Sequence, residues 1–148
     1  MARSEVMTNV LSGYQFELEF CKLLHKNGFW AFRVTPNAAG QQPADIIAVK
    51  KDYHALIDCK LMSGMNGFAF RRIEDNQRMS MEAFKARCGE QGWFAIKPTP
   101  GHNIRMLGLD TITELEHKGK ASLPLRELEE HTISFKEWLE WVTKWKSL

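Results

Sequence analysis

The chain has 148 residues, 44% of them hydrophobic and 26% charged, with a formal net charge of +2; that is the size and make-up of a single globular domain, taken here as 1–148. No apolar run approaches the ~18 residues that a membrane span needs, and the opening MARSEVMTNV lacks the apolar stretch of a secretory leader. Cys21, Cys59 and Cys88 show no CxxC spacing and the five histidines no HxxxH or HExxH pattern, which argues against a disulfide framework or a structural zinc and for reduced thiols in a cytoplasmic protein.

Asn9 to Lys26 carries Phe20, Leu23 and Leu24 against Glu19, Lys22 and Lys26, which suits a helix, and Asn27-Gly28 supplies its stop. Phe29 to Thr35, rich in aromatic and β-branched residues, reads as a strand, and Pro36 to Pro43 as a loop bounded by prolines. Ala44 to Lys50 and His54 to Lys60 are predicted strands joined by the short turn Lys51-Asp52-Tyr53, a hairpin spacing. Leu61 to Gly67 holds two glycines and reads as a mobile connector. Ile73 to Cys88 is a predicted helix, with Ile73, Met81, Phe84 and Cys88 near one face and Gly89 as its stop. Gly92 to Lys97 and Ile104 to Leu109 are two more strands. In the helical tail, Phe135, Trp138, Leu139 and Val142 form an apolar stripe at i, i+3, i+4, i+7 behind Ser134, a plausible N-cap. The order predicts an α/β fold, a central mixed β-sheet flanked by helices with a helical C-terminal extension: core about 12–110, extension about 111–148.

Charge is unevenly spread. Residues 60–105 carry eight basic and four acidic groups, whereas residues 1–59 balance at six each and residues 106–148 carry six basic and eight acidic. The middle third is therefore the candidate anion-facing surface.

The segment HALIDCK ends in Asp58-x-Lys60, two side chains on one face of a strand. Alone the pattern is weak, and Glu116-His117-Lys118 repeats it outside any predicted strand. Asp45, at the start of the neighbouring strand, strengthens it, because a hairpin lets Asp45 and Asp58 converge from adjacent backbones. Two converging carboxylates repel, and a hard divalent cation such as Mg²⁺ compensates them through oxygen ligands. The alternative is that Asp45 caps a turn while Asp58 simply pairs with Lys60. On the first helix either Glu17 or Glu19 can face the same point but not both, since they lie roughly 200° apart, and spacing does not choose between them.

GYQFELEFCKLLHKNGFWAFRV, PADIIAVK and ALIDCK together resemble the PD-(D/E)xK nuclease core, and within it the archaeal-type Holliday-junction resolvases. Gly13, Glu17, Glu19, Gly28, Phe29 and Arg33 fall in register with that group's opening helix and strand. A helix bearing Gln77 after the Asp-x-Lys strand extends the resemblance to RecU-type resolvases and their phage relatives. The resemblance covers about residues 12–80. It departs in Pro43-Ala44-Asp45, which has one residue inserted into the "PD", and in Asp58, where Glu is commoner.

The resemblance implies a restriction-endonuclease-like core and a site with named roles. Asp45, Asp58 and the Cys59 backbone carbonyl would ligate Mg²⁺ or Mn²⁺, and Glu17, now preferred to Glu19, would hold it directly or through water. Lys60 would position and help deprotonate the attacking water or stabilise charge on the phosphate, and Gln77 would orient a water or a backbone contact. Such an enzyme hydrolyses phosphodiesters in a metal-assisted reaction. The Cys59 thiol, alternating with Asp58 and Lys60, should point into the core. The basic middle third makes DNA the expected partner, with Arg71, Arg72, Arg78, Lys85 and Arg87 on flanking phosphates and Arg33 beside them.

The reading is a metal-dependent structure-selective endonuclease, of phage or prophage type, that resolves four-way junctions as a homodimer without an organic cofactor or a membrane partner. Trp30, Trp93, Trp138, Trp141 and Trp145 are candidates for the dimer interface, but a tryptophan stripe at helical spacing is more often core, and for the tail tryptophans packing on their own sheet is the favoured reading. Competing readings are another nuclease of the same core (a nickase, a flap or fork nuclease, a restriction-like enzyme) and a non-catalytic DNA-binding subunit.

Overall fold

The computed structural model describes residues 2–36, 38, 42–62, 67–98 and 103–146, with side chains described from 13 to 144. Helix α1 (Ala2–Lys26) starts earlier than the sequence pattern suggested. It closes where expected: Gly28 adopts φ +90°, and the Phe29 and Gly28 amides donate to the Leu24 and His25 carbonyls at 3.0 and 3.1 Å. This left-handed closure is one that glycine adopts at no steric cost.

Strands β1 (Trp30–Arg33), β2 (Ile46–Lys50) and β3 (Tyr53–Leu61) form an antiparallel meander. The chain then passes through the short strand β4 (Phe68–Ala69), a 3₁₀ turn (Phe70–Arg72) and helix α2 (Asp75–Cys88). It returns as β5 (Trp93–Lys97), parallel to β3, followed by antiparallel β6 (Arg105–Gly108). Beyond β6 lie α3 (Leu109–His117), β7 (Ser122–Leu123), a 3₁₀ turn (Leu125–Glu127), α4 (Leu128–His131), β8 (Ile133–Ser134) and α5 (Phe135–Lys146). The main sheet has the order β1-β2-β3-β5-β6-β8, and β4 pairs with β7 beside it.

Alternation along the strands divides the core between the sheet's two faces. One face packs Ile46, Ala48, Ile57 and Ala95 against Phe16, Phe20 and Leu24 of α1 and Trp138 and Val142 of α5. The other packs Leu56, Phe94, Ile96 and Leu107 against Met81 of α2, Ile112 and Leu115 of α3 and Leu128 of α4. Ser134 caps α5 as expected: its Oγ accepts from the Glu137 amide at 3.0 Å, and Glu137 Oε1 accepts from the Ser134 amide at 3.1 Å.

Several expectations need correction. The tail is not purely helical, because β7 and β8 interrupt it. Each is two residues long, too short for a period-2 pattern to show. Leu109 opens α3 instead of ending a strand. Ile73 precedes α2, and Cys88 at its end is exposed. Gly67 accounts for the small sheet: at φ +79°, a Cβ there would stand 2.1 Å from the Leu123 carbonyl oxygen, so only glycine lets β4 lie against β7. Residues 63–66 of the predicted connector, 37 and 39–41 of the proline-bounded loop, and the Trp145 side chain lie outside the described residues. Among the described residues no helix is long and apolar enough to cross a membrane.

Candidate active site

The β2–β3 register pairs Ile46 with Ile57, so one step further Asp45 stands opposite Asp58. At that point carboxylates take over the ladder. The Asp45 amide donates to Asp58 Oδ1 at 3.0 Å, and the Cys59 amide donates to Asp45 Oδ2 at 2.8 Å. Asp45 is 8% exposed and Asp58 is wholly buried. The convergence read from the hairpin spacing is therefore present.

Lys60 Nζ lies 3.5 Å from Asp58 Oδ2 and 3.4 Å from the Arg72 carbonyl oxygen. The pairing that the simpler reading offered thus exists, but inside a buried carboxylate pair. One lysine does not compensate two acids. Burial first, and then the charge of Asp45, push the Asp58 carboxyl up to about 7, against the pull of Lys60. Asp58 Oδ2 is buried and accepts no hydrogen bond.

Glu17 reaches the site from α1. Burial and then Asp45 raise its pKa, while Arg33 and Lys60 oppose the rise, so its carboxylate feels three groups of the site. Arg33 Nη2 holds it at 3.5 Å. Glu19 points elsewhere and pairs with Lys97 at 3.2 Å. Of the two glutamates left open by spacing, the fold brings Glu17 to the aspartates.

Gln77 is buried, but its side chain closes the capping box of α2: its Oε1 accepts from the Glu74 amide at 3.4 Å. The Cys59 thiol packs against the α1-side core, and burial, then the surrounding carboxylates, push its pKa well up. It is a structural thiol, as its alternation with Asp58 and Lys60 required.

Three partners were missed in the sequence. Gln42 Nε2 donates to Asp45 Oδ1 at 2.7 Å, and Asn76 Nδ2 donates to the Gln42 carbonyl at 3.3 Å, tying α2 to the site. Tyr14 lies under the Arg33 guanidinium, 4.5 Å from ring centroid to Cζ. Gln42-Pro43-Ala44-Asp45 is a turn-forming spacing in which position i reaches i+3, a signal available for Gln42 alone.

The basic residues divide. Arg71 and Arg72 are exposed, and Arg72 Nη1 donates to the Leu61 carbonyl at 3.0 Å, next to Lys60. Arg87 is exposed at the end of α2. Arg33 Nε is buried and accepted by nothing. Arg78 and Lys85, expected on phosphates, are held by acids of this chain. Arg78 grips Glu116 with two bonds of 2.8 and 3.0 Å, and Lys85 holds Asp110 at 2.8 Å.

Among the described residues no three His, Cys, Asp or Glu side chains stand ready-made around a metal position. The donor set nevertheless fits a hard divalent cation. Asp45 and Asp58 offer adjacent oxygens with a charge deficit and a buried Oδ2 lacking a donor, and Mg²⁺ needs only one or two carboxylates because it keeps its waters.

A family model described as archaeal Holliday junction resolvase (Hjc) matches residues 9–146, which takes in the tail that resembled nothing in the sequence. No curated protein matches. Among solved structures, the 1.6 Å structure of Hjc from Archaeoglobus fulgidus, a Holliday junction resolvase from an archaeal hyperthermophile, is similar. It superposes with a TM-score of 0.66 at 20% identity over 86% of this chain and 99% of that one, a likeness of fold. The match is to the archaeal-type family, so the phage-type placement is not supported. The chain belongs to the archaeal Holliday junction resolvase (Hjc) family of PD-(D/E)xK nucleases, structure-selective DNA endonucleases.

Proposed function

We propose that this chain cleaves four-way DNA junctions by hydrolysing one phosphodiester in each of two strands, with Asp45, Asp58, Lys60 and Glu17 as its working groups. The observation that carries the reading is the buried Asp45–Asp58 pair opposite one another in register with Lys60 at 3.5 Å. A fold gains no stability from burying two acids against one cation, so such a pair is explained by what it holds.

Asp45, Asp58 and the Cys59 carbonyl would hold Mg²⁺ or Mn²⁺, with Glu17 reaching it directly or through water. Bound there, the metal supplies Lewis acidity toward the phosphate and acidifies the attacking water. Gln42 keeps Asp45 turned toward the site by occupying Oδ1. The Lys60 ammonium, fixed between Asp58 and the Arg72 carbonyl, orients the water and takes up charge as its oxygen bonds to phosphorus and the bond to the leaving sugar oxygen breaks. Arg33 holds Glu17 toward the aspartates through its Nη2. Gln77 acts by holding the start of α2, with Asn76, against the site.

Arg71, Arg72 and Arg87 present free charge to the flanking backbone. Arg78 and Lys85 contribute less, since acids already neutralise them. Paired cleavage needs two such sites, so the working unit is a homodimer.

The test is cleavage of a synthetic four-way junction beside linear duplex, flap and nicked controls, with Mg²⁺ and then with EDTA. Symmetrical paired nicks in the junction alone, lost in EDTA, are expected. Cutting of flaps or duplex in preference to the junction would refute the substrate.

A further inference from the structure

We propose that Tyr14 is a substrate-contacting residue whose ring stacks on a base left open at the branch point, next to the phosphodiester that is cut. The inference rests on the junction-cleaving reading above and names the group that tells a branch from continuous duplex.

Exposure rises step by step from the aspartates outward. Asp58 is wholly buried and Asp45 is 8% exposed. The side chains of Lys60, Glu17 and Arg33 follow at 14%, 21% and 25%, and Tyr14 stands at 47%. That series marks the direction from which a phosphodiester reaches the carboxylates, and Tyr14 ends it at the rim.

Two links tie the ring to the site. Tyr14 lies one turn before Glu17 on α1, and side chains three apart on a helix are neighbours. The Arg33 guanidinium lies over the ring, 4.5 Å from Cζ to centroid, and holds Glu17 through Nη2 at 3.5 Å. Arg33 is itself fixed beside Asp45. It alternates with Phe32 and so faces α1, and the amide of Val34 next to it donates to the Asp45 carbonyl at 2.9 Å. An exposed cation–π pair contributes little by itself, so stability does not explain an aromatic left in water at the mouth of a site for a polyanion.

The mouth is asymmetric along the strand order β1-β2-β3. On the β3 side Lys60 Nζ reaches the Arg72 carbonyl, Arg72 donates to the Leu61 carbonyl, and Arg71 is exposed beside it. On the β1 side stands the Tyr14 ring. Cations that follow the backbone, joined to an aromatic face, are the combination that holds unpaired nucleotides. Trp30 and Phe32, the other exposed aromatics, alternate with Arg33 and stack on each other on the opposite face of β1, away from the carboxylates.

Stacking separates a branch from a duplex. In continuous duplex each base is covered on both faces, and opening the stack costs free energy. At the point of strand exchange the stack is most easily broken. A ring at the rim therefore gains a base there that a linear arm does not offer.

The experiment places 5-iododeoxyuridine, one position at a time, beside the crossover of a four-way junction and in the matching linear duplex. Each is irradiated with the full chain in EDTA, and the crosslinked residue is mapped by mass spectrometry. Wild type should crosslink through Tyr14 at a junction position and nowhere in the duplex. Tyr14→Ala should lower the ratio of junction to duplex affinity about tenfold, with Mg²⁺ binding by calorimetry and the far-UV circular dichroism spectrum unchanged. Tyr14→Phe, which keeps the ring, should restore the ratio. No crosslink to Tyr14, equal losses on junction and duplex, or a variant that changes only Mg²⁺ affinity overturns the contact and leaves the ring as a seat for Arg33. Paired cutting of junctions by wild type would then still stand. A wild type that prefers flaps refutes the four-way-junction reading, and a Tyr14 crosslink at the flap's branch point would sustain the stacking contact without it.

Discussion

Replacing Asp58 with Asn separates charge from shape at the centre of the site. Asparagine keeps an oxygen to accept from the Asp45 amide, a 3.0 Å bond in the wild type, and has nearly the same volume, but it has no charge to bury. In the wild type the carboxyl is wholly buried and titrates at about 7 in place of the ordinary 3.8. The folded chain therefore holds this proton at pH values where the unfolded chain has released it. Stability must fall as pH rises from about 4 to about 7 and level off above. At about 1.4 kcal/mol per pH unit the whole window amounts to about 4 kcal/mol, of which about 3 kcal/mol lies between pH 5 and pH 8. The Asp58→Asn variant does not titrate there, so guanidinium unfolding in EDTA should show it gaining about 3 kcal/mol on wild type between those two pH values. Titrating groups away from the Asp45–Asp58–Lys60 cluster are common to both proteins and cancel. Added Mg²⁺ should stabilise wild type at pH 8 by mass action and leave the variant unmoved, and the variant should bind junctions without cutting them. If the two unfolding free energies run parallel with pH, Asp58 carries its charge without cost and the reasoning about a compensating cation fails.

Glu17→Ala should abolish cleavage, or lower it at least a hundredfold, while Glu19→Ala leaves it unchanged, as read in single-turnover junction assays; equal losses would remove Glu17 from the site. Gln42→Ala frees Asp45 Oδ1 and should weaken Mg²⁺ binding about tenfold by titration calorimetry, with junction affinity in EDTA unaltered. Wild-type metal affinity in this variant would mean that the 2.7 Å bond positions nothing. Arg71→Ala with Arg72→Ala should lower the slope of log affinity against log salt by about 1.8, two phosphate contacts' worth on a duplex arm, and an unchanged slope would take the 3₁₀ turn off the DNA surface.

The elements that the sequence revealed are those long enough to show a period. The β2–β3 hairpin and the apolar stripe of α5 each repeat their pattern several times, while α2 was marked less by its apolar face, of which Met81 is buried, than by its glycine stop. Strands β4, β7 and β8, two residues apiece, exist because β6 and a glycine-opened backbone offer them partners, and nothing local marks them. The opening helix was only partly visible because its apolar spacings are mixed, as expected where α1 packs on three strands at once. The chemistry of the site was more legible than the fold around it, since Asp45 and Asp58 come together through a single short turn, and a hairpin register can be counted along the chain.

Charge was the least legible property, because a tally of residues does not see their partners. The middle third reads as a basic surface, yet Arg78 is answered by Glu116 and Lys85 by Asp110, acids that lie 38 and 25 residues further on in the segment whose composition reads as acidic. Folding α3 against α2 cancels part of the apparent field, and the exposed arginines left without an acid partner here are Arg71, Arg72 and Arg87, with Arg72 beside Lys60. The tryptophans follow the same logic. Spacing favoured core packing for those of the tail and left Trp30 and Trp93 open, and the sheet separates them by closing over Trp93 and Trp138 while ending at β1, so that Trp30 is left at the open edge. What a side chain can bind depends on which neighbours the topology leaves it, and at the β1 edge Trp30 and Phe32 stack on each other beside Val49 and Ile47 with more than half of each ring still in solvent.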